Sequence, residues 1–229
     1  MIFPFLSHQN FIIRKIRGIE KRYSKICNAL DIGCGDGRFC SLLKNMGIYT
    51  YGLDMKQESV DHARKQGLQV YQGTFPNEIP WEIAQQRFDL IVMCEMVYYI
   101  KDFKNAIHAL KRLSRQNGAI LIKIHSSTSY KFTRKQLTHK ETYGDTMQFL
   151  PVPEEIVKQL ESAGFSVVDV VPYPDDYFEI SGNWWCRFVP SIIRRVFNAV
   201  YWNVPKISEK WNNIADRIII IAENRKVPV

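Results

Sequence analysis

The chain has 229 residues, 46% of them hydrophobic, which is typical of one globular enzyme domain. Its 31 basic and 23 acidic side chains give a net charge of +8, spread over several short clusters. No apolar run approaches the ~18 residues that span a bilayer, and residues 1–6 are too short for a signal-peptide core, so we expect a cytoplasmic protein. Five cysteines, an odd number without a C-x-x-C pair, argue against a disulfide framework and a zinc site.

Strands and helices alternate from residue 26 onward, which predicts an α/β fold with a doubly wound sheet. The predicted strands of the first half are 26–32, 48–53, 68–71, 88–93 and 119–124. The fourth is almost continuously apolar, as is typical of a central strand buried on both faces. Helical spacing predicts helices over 57–66 and 103–114, and Asn117-Gly118 predicts a turn before the fifth strand.

The second half begins with a polar stretch after residue 125 and then resumes the alternation. Pro153 fits the first turn of a helix that ends near Gly164. A sixth strand is predicted over 165–171. A seventh is predicted over 216–223, where four isoleucines follow one another.

We interpret residues 1–229 as a single domain with three parts. Residues 1–25 are predicted to form an N-terminal helical cap, and residues 26–125 a cofactor-binding core. Residues 126–229 are expected to form a substrate-side half with an aromatic-rich insert over 172–213 before the final strand.

The junction after the first strand holds the most specific motif. Asp31 ends the strand, and Gly33, Gly35 and Gly37 follow at alternate positions. Glycine accepts a positive φ and lets a ligand approach the backbone, while the amides of the next helix favour an anionic group. The dinucleotide fingerprint G-x-G-x-x-G would need a glycine where Arg38 stands. The spacing therefore disfavours a dinucleotide.

Residues 31–37 resemble the first motif, D-x-G-x-G-x-G, of the class I S-adenosylmethionine (SAM)-dependent methyltransferases. The resemblance implies a seven-stranded Rossmann-like sheet whose last strand is antiparallel. It implies SAM as the cofactor and S-adenosyl-L-homocysteine (SAH) as the product. It also implies that Gly33, Cys34 and Gly35 bind the methionine part of SAM, with Asp31 close to its amino group.

Two further segments correspond to cofactor motifs of this family. Asp54 ends the second strand, and the resemblance implies that its carboxylate binds the ribose hydroxyls. Met55 is expected to cover one face of the adenine. After the third strand the family usually has an acid, whereas this chain has Thr74, which can hydrogen-bond, and Phe75, which can stack.

The segment after the fourth strand carries Glu95, where small-molecule methyltransferases often have an acid followed by Glu-His. Here Tyr98-Tyr99 replaces that Glu-His, and a related pattern occurs in amine methyltransferases of Nod-factor synthesis. His125 follows the fifth strand at the edge where such folds bind ligands, and a histidine side chain suits proton transfer near neutral pH. We predict His125 and Tyr98 as catalytic residues and Glu95 as a cofactor residue. No metal site is predicted, and an amine acceptor would need no base.

The aromatic insert over 172–213 is expected to select the acceptor. Apolar residues after Pro190 recur at helical spacing, which favours a lid helix on the domain. Trp, Phe and Arg also occur together at bilayer surfaces, so a peripheral membrane contact and a sugar-stacking surface remain open.

We predict a SAM-dependent methyltransferase acting on a hydroxyl or amine of a small molecule, with a sugar or lipid-linked glycan as one kind of acceptor. A nucleic acid is not the expected partner, because the Asn/Asp-Pro-Pro-Tyr motif of base methyltransferases is absent. The basic charge leaves an RNA methyltransferase as an alternative. A SAM-binding protein without catalytic activity is the other alternative. The sequence carries no signal of the oligomeric state.

Overall fold

The computed structural model describes residues 8–22, 25–125, 152–172 and 217–225. The helices in these ranges are α1 (His8–Arg22), α2 (Arg38–Asn45), α3 (Gln57–Lys65), α4 (Trp81–Ala84), α5 (Phe103–Leu113) and α6 (Pro153–Ser162). The strands are β1 (Asn28–Ile32), β2 (Tyr49–Asp54), β3 (Gln69–Gln72), β4 (Phe88–Cys94), β5 (Ser114–His125), β6 (Ser166–Pro172) and β7 (Arg217–Glu223). A short 3-10 helix, Val97–Tyr99, follows β4.

The seven strands form one sheet in the order β3-β2-β1-β4-β5-β7-β6. Strands β1 to β5 pair in parallel, whereas β7 is antiparallel to both β5 and β6. The predicted doubly wound, Rossmann-like sheet with an antiparallel last strand is therefore confirmed. Strand β1 lies between β2 and β4 and is parallel to both. The carboxyl ends of the three strands therefore meet at one edge of the sheet.

Strand boundaries lie within two residues of the prediction except at the start of the fifth strand. The predicted turn at Asn117-Gly118 is wrong, because β5 already begins at Ser114 and continues through both residues. Asn117 has a φ of 63° and lies in a bulge, where the β4–β5 pairing shifts register. The Asn117 N–H donates to the Asn224 carbonyl (2.8 Å), and the Asn224 N–H donates to the Gly118 carbonyl (2.9 Å). These two hydrogen bonds hold the bulge in the sheet.

Two layers of helices bury the sheet, since alternate residues of its central strands point to opposite faces. Leu90 and Val92 of β4 pack in the cluster that includes α1 and α2, whereas Ile91 and Met93 pack with α5 and α6. All four side chains are fully buried. This two-sided burial explains why β4 reads as a continuous apolar run.

Helix α1 packs on the sheet through Ile12, Ile16 and Ile19. Lys15 forms an ion pair of 2.9 Å with Asp169 of β6. None of the described side chains of α1 borders the cavity presented below. Within the described part of the chain, no helix has the length and apolar character needed to cross a membrane.

Candidate functional site

A cavity of about 580 Å³ opens at the carboxyl edge of β1, β2 and β4. Its walls come from the segments that follow β1, β2, β3 and β4. The residues predicted to bind the cofactor that line it are Gly33, Gly35, Asp54, Met55, Thr74, Phe75 and Glu95. The volume is in the range of pockets that hold a small organic ligand.

The glycine loop between β1 and α2 needs a backbone that only glycine adopts easily. Gly33, Gly35 and Gly37 have φ values of 74°, 52° and 80°. A Cβ on Gly33 would lie 2.8 Å from the Cβ of Met96, whereas a Cβ on Gly35 would meet nothing within 4 Å. The loop is tied to β2 by a hydrogen bond from the Gly33 N–H to the Leu53 carbonyl (2.7 Å). Gly35 therefore presents open backbone at the cavity.

Asp54 follows directly from the end of β2 and is held by backbone donors. Its Oδ2 accepts the N–H of Gly35 (2.8 Å), and its Oδ1 accepts the N–H of Lys56 (2.9 Å). Each carboxylate oxygen can accept a further hydrogen bond, so the group remains able to bind a ligand with hydroxyl donors. Met55 beside it is 62% exposed, which leaves its side chain available to an adenine-sized ring.

The segment after β3 completes this end of the cavity. Phe75 is buried, and its neighbour Thr74 is half-buried. The Thr74 carbonyl accepts the N–H of Glu78 (2.7 Å), which closes a turn behind the wall. Both predicted residues therefore lie on the same cavity as Asp54.

Asp31 and Cys34 lie beneath the loop and do not border the described cavity. Asp31 is 1% exposed, and the Cys40 thiol donates to its Oδ2 (3.4 Å). The pKa of Asp31 is raised to about 7, mainly by burial; the Cys40 hydrogen bond opposes the rise and the charge of Asp54 adds to it. Cys34 is 7% exposed, and its N–H donates to the Leu53 carbonyl (3.1 Å).

Glu95 follows β4, which lies on the other side of β1 from β2 and Asp54, and is held by side chains. Its φ of 57° turns the chain sharply after β4. The Lys123 Nζ lies 2.7 Å from its Oε1, and the His125 Nε2 lies 3.2 Å from its Oε2. The hydroxyl of Tyr98 donates to the same Oε2. We call Glu95, Tyr98, Lys123 and His125 the Glu95 cluster.

The Glu95 cluster controls the charge of its central carboxyl group. Burial would raise the pKa of Glu95, but the charges of Lys123 and His125 lower it, and hydrogen bonds from Lys123 and Tyr98 act in the same direction. The net result is a pKa below the usual value for glutamate. Glu95 therefore stays ionised at neutral pH although its side chain is only 30% exposed.

The predicted catalytic residues reach the cavity through Glu95. His125 is 9% exposed and Tyr98 is 2% exposed, and neither borders the cavity as far as the structure describes the chain. Their rings lie 6.1 Å apart. The neighbouring Tyr99 does border the cavity and is 49% exposed.

Lys123 is the member of the cluster that sequence reasoning missed. It stands in β5 between Ile122 and Ile124, both fully buried. A lysine inside such an apolar strand requires a partner for its charge, because an unpaired buried ammonium is costly. The position of Lys123 within an apolar strand was the signal in the sequence that it has a charged partner. The sequence does not show which residue that partner is, because Glu95 is distant along the chain.

Several predictions fall on residues that the structure does not describe. The aromatic insert lies outside the described residues apart from Pro172. The polar stretch after His125 is likewise outside them up to residue 151. Among the described residues, no group of three or more potential ligands is placed to hold a metal ion.

A family model described as a methyltransferase domain matches residues 9–170. Among curated proteins, the ubiquinone biosynthesis O-methyltransferase of Coxiella burnetii is 28% identical over 169 residues, which cover 68% of this chain and 71% of that protein. The relative from Pelagibacter ubique with the same name is 29% identical over 125 residues, covering 52% of this chain and 50% of its own length.

Among solved structures, a SAM-dependent methyltransferase from Archaeoglobus fulgidus is similar with a TM-score of 0.64 at 20% identity, covering 94% of each chain. The plantazolicin methyltransferase BamL, solved with a substrate analogue and SAH, is similar with a TM-score of 0.65 at 15% identity. That likeness covers 96% of this chain and 85% of the other. At these identities the structural likeness establishes the fold.

Proposed function

The chain belongs to the methyltransferase domain family, as a class I SAM-dependent methyltransferase, and on this premise we propose that it methylates a hydroxyl oxygen of a small molecule. The observation that carries the proposal is the cavity between Asp54 and Glu95, with open glycine backbone on its wall. The word O-methyltransferase in the name of the Coxiella burnetii relative supports oxygen as the atom that is methylated.

SAM supplies a methyl group that is already activated, so the chain mainly has to bind and orient it. Gly33, Cys34 and Gly35 would hold the methionine part with their backbone, since the Gly35 position opens onto the cavity. Asp54 would bind the ribose hydroxyls with the acceptor capacity that its two backbone hydrogen bonds leave. The positive amino group of the methionine part would lower the raised pKa of Asp31 and so favour its charged form beneath the loop.

The adenine would lie at the end of the cavity formed by the segments after β2 and β3. Met55 offers an exposed thioether side chain for one face of the ring. Phe75 offers a second apolar surface, and the Thr74 hydroxyl can accept or donate a hydrogen bond. Glu95 would face the part of the cofactor at the opposite end.

A hydroxyl acceptor loses its proton during methyl transfer, and we assign that proton to His125. His125 does not border the described cavity and its Nδ1 is buried, so the proton would pass through the Glu95 carboxylate, which borders the cavity, to the Nε2. The Glu95 carboxylate would stabilise the resulting imidazolium and fix the ring orientation, as an acid does for a catalytic histidine in other enzymes. Because the Tyr98 hydroxyl donates to Glu95, we assign Tyr98 to holding this carboxylate in place.

The carbohydrate acceptor, the peripheral membrane contact and the cytoplasmic location remain predictions from the sequence. The membrane contact and the sugar surface rest mainly on the insert, of which the structure describes only Pro172, and the cytoplasmic location rests on the composition of the chain. The described cavity supports a small-molecule cofactor and does not select among acceptors.

Calorimetric titration with SAM, SAH and NAD tests the cofactor site directly. We expect SAM and SAH to bind with one site per chain and NAD to give no heat, because the loop lacks the third glycine of the dinucleotide fingerprint. Binding of NAD without binding of SAM or SAH would contradict the proposal.

Release of SAH in the presence of candidate acceptors tests the reaction. A panel of small alcohols, phenols, sugars and amines is incubated with SAM, and products are identified by their mass. We expect methylation of a hydroxyl compound and its loss in His125→Ala. Methylation confined to amines, unchanged in His125→Ala, would refute both the oxygen acceptor and the role of His125.

A further inference from the structure

The Glu95 cluster contains one carboxylate, one ammonium group and one imidazole at the wall of the cofactor cavity. The side chain of Lys123 is only 14% exposed, although an ammonium group is strongly hydrated in water. Replacing it by an apolar residue would fit the isoleucine-rich strand better. A buried charge pair at this position therefore adds little to the stability of the fold, and we look for its role in function.

Glu95 is the member of the cluster that connects it to the cavity. It borders the cavity together with Gly33, Asp54 and Met96, whereas Lys123 contacts it from the strand behind. Two acids thus line the cavity, one after β4 and one at the end of β2, on either side of β1. The proposed function places Asp54 at the ribose, so Glu95 is the carboxylate left for the remaining charge of the ligand.

We propose that Lys123 is a positioning residue that holds the Glu95 carboxylate at the cavity wall, and that this carboxylate makes the site prefer SAM to SAH. The inference rests on the proposed cofactor site. SAM carries a positively charged sulfonium, whereas SAH carries a neutral thioether and is otherwise the same molecule without the methyl group. A partly buried carboxylate therefore attracts the donor more strongly than the spent product, which favours product release.

The two acids of the cavity should differ in how they affect the two ligands. Asp54 would bind ribose hydroxyls, which SAM and SAH share, so Asp54→Asn should weaken both ligands by the same factor. Glu95→Gln removes a charge without changing the size of the side chain. It should therefore raise the dissociation constant of SAM by about tenfold more than that of SAH, as expected for charges a few ångströms apart in a partly buried site.

Lys123 gives the proposal a pH signature. In the wild type Lys123 and His125 of β5, together with Tyr98 of the 3-10 helix, hold the pKa of Glu95 below its usual value against the effect of burial. Burial also raises the pKa of the neighbouring Cys94 thiol of β4. Without Lys123 the effect of burial dominates and the pKa of Glu95 rises. The carboxyl group then becomes protonated as the pH falls, and the preference for SAM disappears with it.

The experiment measures the dissociation constants of SAM and SAH by calorimetry from about pH 5 to about pH 9. The chains compared are the wild type, Glu95→Gln, Lys123→Met and Lys123→Arg. We expect Glu95→Gln to lose the preference at every pH. Lys123→Met should keep the preference for SAM at high pH, and the ratio of the SAH to the SAM dissociation constant should fall about tenfold as the pH falls. Lys123→Arg retains the positive charge and should restore the wild-type profile.

Two controls separate this role from a merely structural one. His125→Gln removes the other side chain whose charge lowers the pKa of Glu95, and the pH-dependent loss in Lys123→Met should persist in that background. The double variant Lys123→Met/Glu95→Gln removes both charges of the ion pair. It should fold and show the Glu95→Gln profile without any titration.

Equal changes in SAM and SAH affinity for Lys123→Met at every pH would overturn the inference, because only packing would then have been lost. The same holds if Glu95→Gln leaves the ratio of the two dissociation constants unchanged. In both cases the proposed function survives, since SAM still binds. A wild-type chain that binds neither ligand would overturn the proposed cofactor site and this inference together.

Discussion

The two acids that line the cavity, Asp54 and Glu95, are held in contrasting ways. Asp54 accepts hydrogen bonds from two backbone N–H groups of neighbouring segments. Glu95 is held by the side chains of Lys123, His125 and Tyr98. One end of the site thus depends on loop conformation, and the other depends on the identity of side chains.

This difference determines how each end responds to change. The backbone around Asp54 requires glycines and a fixed strand–loop–helix order, so a short motif specifies it. The Glu95 cluster requires the residue that follows β4, the 3-10 helix and β5 to meet. We therefore expect substitutions in the glycine loop to affect folding and general cofactor affinity, and substitutions in the cluster to affect charge and pH dependence.

The largest expected effect concerns Asp31, an acid beneath the glycine loop with a single side-chain donor. Its pKa is raised by burial from 3.8 to about 7 in the folded chain, which corresponds to on the order of 4 kcal/mol. Because the folded pKa lies above the unfolded value, the free energy of unfolding should fall as the pH rises from about 4 through about 7.

Chemical denaturation at a series of pH values checks this prediction. Asp31→Asn should lack that decline, while Asp36→Asn, in the same loop with a side chain 43% exposed, should keep it. A decline of equal size in Asp31→Asn would mean that another group causes it.

The next effect contrasts two glycines of the loop. A Cβ on Gly37 would lie 2.5 Å from the Cδ1 of Leu68 and 3.1 Å from the Cβ of Ala63, at a φ of 80°. Gly37→Ala should therefore lower the free energy of unfolding by about 3 kcal/mol. Gly35→Ala meets only the strain of a positive φ and should cost about 1 kcal/mol. Equal losses in thermal or urea unfolding would show that packing under the loop is unimportant.

Loss of the Asp54 carboxylate should follow in size. Asp54→Ala removes both backbone hydrogen bonds and the proposed ribose contact, so SAM and SAH should each bind about a hundredfold more weakly. Calorimetry on Asp36→Ala supplies the matched control, because Asp36 pairs with the exposed Arg38. Unchanged affinity in Asp54→Ala would remove the ribose role of this residue.

The smallest effect belongs to the Glu95 end. Tyr98→Phe deletes one hydrogen bond to a carboxylate that keeps its contacts with Lys123 and His125, so the free energy of unfolding should fall by only about 1 kcal/mol. The pKa of Glu95 should rise slightly for the same reason. Tyr99→Phe is the control, since its ring is 49% exposed. An equal loss in both variants, measured by urea unfolding, would show that the hydrogen bond from Tyr98 to Glu95 does not contribute to stability.

Much of the fold follows from local patterns. The apolar run of β4 and the placement of Pro153 and Gly164 predicted elements that the structure confirms. The Asn117-Gly118 turn was wrong because a dipeptide that tolerates positive φ fits a bulge as well as a turn, and only pairing with Asn224 distinguishes them. By contrast, Asp54 and Glu95 lie on one cavity as expected, because that expectation depends only on where parallel strands end.

The sequence by itself determined the family and the cofactor motif, because a glycine loop between a strand and a helix is specified by adjacent residues and their backbone angles. Tertiary structure decided which side chains meet at the far end of the cavity. Lys123 reads as an anomaly within an isoleucine-rich strand until β4 and β5 pair and bring its ammonium group to Glu95. Electrostatic partners of this kind act through distance in space, and spacing along the chain does not encode that distance.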